Sequence, residues 1–93
     1  MINDYRNAIR EHIERLKNIG NLSNMIIWDV QVDEASDPTL LSNRAYNNRQ
    51  HVDVVLVACG VSGVWEKLPE QRIVLPLLKD VLALRKIYMT DEV

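Results

Sequence analysis

The chain is 93 residues long, 47% hydrophobic and 26% charged, with 11 Lys+Arg against 13 Asp+Glu and a net charge of −2. That length supports one domain, residues 1–93, burying about 65% of its unfolded surface; the composition excludes a disordered chain, a collagen-like repeat and a disulfide scaffold. No basic footprint for nucleic acid is present, so no nucleic-acid partner is expected.

The first residues, Met1-Ile2-Asn3-Asp4-Tyr5, lack the cationic head and apolar core of a signal peptide. The longest apolar run, Val54 to Cys59, is far below the ~20 residues that span a bilayer. A lone cysteine, Cys59, forms no intramolecular disulfide and fits a reducing compartment. The expected location is therefore cytoplasmic, with no membrane partner. The closing Asp91-Glu92-Val93 reads as a short frayed tail.

In chain order, residues 3–19 read as a helix. Ile2, Tyr5, Ile9, Ile13, Leu16 and Ile19 recur at spacings of three and four and make one apolar stripe. Asn3 can cap its start, Arg10–Glu14 and Glu11–Arg15 are opposite-charge pairs one turn apart, and Gly20 sits where a left-handed residue ends a helix. Residues 25–32 read as a strand, with Trp28, Val30 and Val32 on one face and Ile27, Asp29 and Gln31 on the other. A wet face favours an antiparallel setting.

Residues 33–50 are less regular. Asp37 as cap and Pro38 at the first position start a short helical turn over about 38–43, with an extended lead-in to the next element. A linking helix reaching about 46 is the alternative. Residues 51–58, apolar on both faces in their second half, read as a central strand. Gly60, Ser62 and Gly63 then turn the chain, and 64–68 return as a short third strand. Residues 70–88 read as a helix beginning at Pro69 and kinked or split near Leu75 by Pro76. The fold class is α+β: a two-layer domain with two or three strands covered by the first and last helices.

The residue types that carry chemistry are sparse. His12, His51 and Cys59 lack metal-ligand spacing, and eight extended residues would hold His51 and Cys59 ~26 Å apart. Cys59 has no evident base beside it. Glu14, Asp53 and Glu66 follow the order of some metal-dependent nucleases, but Lys67 directly follows Glu66, so on a strand the two point to opposite faces. The segment from Val57 to Gly63 has neither the Lys nor the third glycine of a phosphate cradle. No metal, cofactor or catalytic residue is assigned, and no enzymatic activity is expected.

Two features point to protein partners. Asp29, Asp33, Glu34 and Asp37 form the only one-sign cluster, within a 21–60 segment holding five acids and two arginines. It reads either as a solvated edge or as a docking surface for a basic partner. Trp65, just past a Ser-Gly turn, reads as core cover or as an interface anchor. The apolar positions of the last helix, Leu77 to Ile87, exceed what a small sheet needs as cover, which points to self-association.

The order of Ile2 to Ile19 as helix, a polar run Leu41 to Arg49, the apolar Gln50-His51-Val52-Asp53-Val54-Val55-Leu56-Val57, a small-residue turn and Glu70 to Tyr88 as helix resembles the small tail-completion or tail-terminator proteins of long-tailed bacteriophages. The resemblance implies an α+β monomer that forms a ring at the head–tail joint. That family usually adds a strand after its last helix, whereas only Met89 to Val93 remain here. The expected function is thus a non-enzymatic structural or interaction protein acting as an oligomer, in its most specific form a virion-assembly component. The alternative is a small intracellular inhibitor or adaptor that docks its acidic 29–37 region on a basic partner.

Overall fold

A computed structural model describes residues 2–89; the expected tail at 91–93 lies outside them. The fold is α+β, with a helix at each end and a two-stranded antiparallel sheet.

Helix α1, Ile2–Ile19, buries Tyr5, Ile9, Ile13 and Leu16, the stripe its periodicity predicts. It ends at Gly20, whose φ of +71° lets its N–H reach the Leu16 carbonyl at 2.9 Å. It begins one residue before Asn3, which lies inside the first turn rather than capping it. Neither expected pair one turn apart forms: Arg10 donates to Asn7, and Glu14 faces Lys17 at 3.9 Å.

Strand β1, Met25–Asp29, is shorter than expected. Its inner face carries Ile26 and Trp28, while Ile27 and Asp29 are exposed, as the alternation predicts. The chain then turns into α2, Val32–Ala35, and α3, Pro38–Tyr46. Asp37 caps α3 by accepting from the Thr39 N–H at 3.1 Å. The helix runs to 46, the longer of the two expected alternatives. Asn47 ends it at φ +58°, donating to the Asn43 carbonyl at 2.7 Å. Asn47, held in the left-handed region, is therefore the helix's stop signal.

The largest correction falls on 51–58. A 3-10 turn, Arg49–His51, leads into helix α4, Val52–Cys59, where a central strand was expected. Val54, Val55, Leu56 and Cys59 are buried against α1, α3 and the second strand. A run that is apolar all round suits a buried helix as well as a buried strand, and packing overrides valine's β preference. Gly60, at φ +74°, donates to the Leu56 and Val57 carbonyls, and the Val61 N–H returns to Leu56 at 3.1 Å. This is a Schellman stop for a helix, not a turn between strands.

Residues 64–68 form no third strand. The expected helix over 70–88 is also corrected: its first part is β2, Arg72–Pro76, and helix α5 is Leu78–Tyr88. Pro76 does not kink a helix; it closes a strand, and Leu75 before it is extended, as a residue preceding proline prefers. Strand β2 pairs with β1 in the register Met25↔Pro76, Ile27↔Val74, Asp29↔Arg72. Ile73 and Leu75 point inward onto a core of Tyr5, Ile9, Leu41, Val54, Val55 and Val81. The Tyr46 hydroxyl donates to the Pro76 carbonyl at 2.7 Å and pins α3 to the end of the sheet.

Candidate functional site

The acidic segment gathers into one patch, but arginines from outside it meet its charges. Asp29 pairs across the sheet with Arg72, Nε to Oδ1 at 2.9 Å. Arg44, one element along, donates to Asp33 at 2.8 and 3.1 Å and to Glu34 at 2.9 Å. Asp37 is held by the backbone and hydroxyl of Thr39 and faces Arg49 at 3.5 Å. The hydrogen bond from Arg72 holds the Asp29 carboxyl below its ordinary range, and Arg44 does the same for Asp33.

Glu34 corrects the expectation most sharply, because its side chain is buried and reaches no partner surface. Burial pushes its pKa up, but three donors outweigh that: the Gln31 backbone N–H at 2.8 Å, the Trp28 indole N–H at 3.0 Å and Arg44. The net shift is downward. Glu34 therefore works as a buried node that ties α2 to β1 and α3.

Trp65 lies apart from this patch and is 80% exposed, with Val64 beside it also exposed. It does not cover the core. Its ring occupies the space a Cβ on Gly63 would need, which explains a glycine at that buried turn position. The loop is held by Glu66, whose N–H donates to the Gly63 carbonyl and whose carboxylate accepts from the Ser62 N–H.

The same loop borders a feature that residue-by-residue reading misses: a cleft of about 510 Å³ between α1 and the end of α4. Asn3, Arg6, Asn7 and Arg10 line one side, and Leu56, Val57 and Val61 supply an aliphatic side near Gly60 and Ser62. Arg6 is engaged: its Nε and Nη2 reach Asp53 Oδ1 at 3.0 and 2.6 Å, and its Nη1 donates to the Ser62 carbonyl at 3.3 Å. Arg10 makes one bond, Nη1 to Asn7 Oδ1 at 2.7 Å, and no ion pair among the described residues. The signal was present in the sequence. These four polar residues recur at the helical period, one face round from the apolar stripe.

The remaining chemistry-bearing residues are dispersed. Burial pushes the Cys59 thiol up to about 11, so it stays protonated at neutral pH. His51 is buried edge-on to Tyr46, with ring centroids 5.6 Å apart. Glu14, Asp53 and Glu66 are tied to Lys17, Arg6 and Ser62 respectively. Among the described residues no three of His, Cys, Asp or Glu come together as a metal site would require. No helix among them is long and apolar enough to cross a membrane. Compared with family models, curated proteins and solved structures, the chain matches none.

Proposed function

We propose that this chain is a non-enzymatic interaction protein that works by associating with copies of itself. One observation carries the proposal: helix α5 is poorly covered. Of its 11 residues only Val81 is fully buried, while Leu78, Leu82 and Ile87 are 38%, 49% and 68% exposed. Leu78 and Leu82, one turn apart, flank the buried face on one side, and Ala83 and Ile87, also one turn apart, flank it on the other, so apolar groups stay exposed on both flanks of the helix. The Leu78 and Leu82 flank is one that a second copy can meet about a two-fold axis. The exposed Ile27 of the sheet adds to the apolar surface.

The test is mass in solution across a concentration series. The native chain is expected to exceed the monomer mass, and Leu82→Glu with Ile87→Glu to return it to the monomer with an unchanged circular dichroism spectrum. A native chain that stays monomeric at high concentration would sink the proposal.

A virion-assembly component is the most specific form of this reading. It draws on the family resemblance alone, and the order of elements beneath that resemblance changes where 52–59 is helical. Docking of a basic partner on residues 29–37 is the weaker reading, because the partner would first have to displace Arg44, Arg49 and Arg72 from their carboxylates.

A further inference from the structure

We infer that the cleft between α1 and the turn after α4 is a docking site for an acidic peptide segment of a partner protein, one that presents a carboxylate flanked by aliphatic side chains. The inference rests on the interaction reading but not on the exposed flanks of α5. Asn3, Arg6, Asn7 and Arg10 form a row about 10 Å long at 1.5 Å per residue. Within that row Asp53 neutralises Arg6, so the charge left without an ion pair among the described residues is that of Arg10. A guanidinium carries five N–H donors, and Arg10 uses one. The Asn7 oxygen already accepts from Arg10, which leaves its NH2 as a donor beside the same charge. Donors without a bound acceptor around a single cation suit a carboxylate.

Two observations narrow the ligand further. A phosphate cradle needs free backbone N–H groups, but those of Gly60, Val61 and Ser62 are all bonded within the protein, to Leu56 and Val57, to Leu56 and to Glu66. A cleft of about 510 Å³ is also much larger than one carboxylate, and the partly exposed Val57 and Val61 give one wall of it an aliphatic lining. Two and three residues on from Ser62 the chain carries the exposed Val64 and Trp65, apolar groups within the span of an extended peptide and beyond that of a small acid.

The test is an NMR titration of the labelled chain with an acetylated, amidated pentapeptide of alternating leucine and glutamate. The glutamine version of that peptide and inorganic phosphate serve as the comparison ligands. The glutamate peptide is expected to shift the backbone amides of Gly60 and Ser62 and the indole of Trp65. The Trp28 indole, held by Glu34, stays in place and reports an intact fold. Loss of one charge-assisted pair weakens binding by about tenfold, so both Arg10→Gln and the glutamine peptide should show that loss. Added salt should weaken the glutamate peptide as well. Equal binding of the two peptides, an unaffected Arg10→Gln, no shift at millimolar peptide, or phosphate moving the same resonances as strongly would each overturn the inference. The mass of the same samples separates the two proposals. A monomer that binds the peptide defeats self-association alone, and an oligomer that ignores it defeats the docking site alone.

Discussion

Residues 29–37 and the cleft beside α1 invert what their sequences advertise. The first region carries four acids in nine positions, yet its charges are met by Arg44, Arg49 and Arg72. The second reads as the ordinary polar side of an amphipathic helix, yet its Arg10 has no ion pair among the described residues and stands at the edge of a cleft with one aliphatic wall. Charge along the chain counts only the ions in a window. Folding brings in the partners, and Arg72 lies far from Asp29 in sequence while facing it across the sheet. The acidic region is accordingly a structural joint, and the quieter one is an available surface.

The largest expected effect sharpens that contrast. Arg44→Ala leaves the buried Glu34 carboxylate without its cation. Stranding a buried charge costs about 3–5 kcal/mol, reduced here to about 2–3 because Arg44 is partly in solvent and Glu34 keeps two donors. Denaturant melts check this, and adding Glu34→Gln to Arg44→Ala should recover part of the loss through coupling between the two sites. A melt unchanged by Arg44→Ala would make the acidic region ordinary surface and erase the contrast.

A second expected effect is a pH dependence. The folded pKa of Glu34 lies below its ordinary value of 4.5, and those of Asp29, Asp33 and Asp37 are lowered as well. The unfolded chain therefore binds protons first as the pH falls. The stability these groups contribute is full above about pH 5 and is lost as the pH drops through their folded values. Thermal melts from pH 7 to pH 3 should show this acid slope, shallower in Glu34→Gln. An identical slope in that variant would mean that the buried node takes no part.

The smallest effect belongs to the cleft side. Arg10→Gln removes one exposed bond to Asn7 and Trp65→Ala an exposed ring that packs on Gly63, so each should change stability by no more than about 0.5 kcal/mol. A loss above about 1 kcal/mol in either melt would show that these residues are structural too.

Much of the fold was legible where signals are local. The stripe of α1, its stop at Gly20, the alternation around Trp28 and the Asp37-Pro38 start all act within a few residues. Residues 52–59 were not, because periodicity vanishes in a run that is apolar on every side. Leu56 shows why burial does not settle the matter: it is buried as a strand residue would be, and yet it is helical. The candidate site was legible in part. Trp65 is exposed at its turn, as an anchor reading requires, whereas the cleft joins residues 3–10 to residues 56–62 and exists only once α1 and α4 pack.

The register of β1 on β2 bears on how the chain reaches this state. The strands are joined by three helices rather than a tight turn, so no local hairpin starts the sheet. Closing so long a loop costs entropy that the strand pair alone does not return. Contacts among the helical segments between the strands shorten that loop, so the sheet is expected to close after them. Long-range pairing of this kind slows folding relative to a bundle of similar helices. Contacts made last weigh mainly on the unfolding rate, so the Ile27 and Val74 pairing acts as a latch on a finished molecule more than as a seed for its assembly.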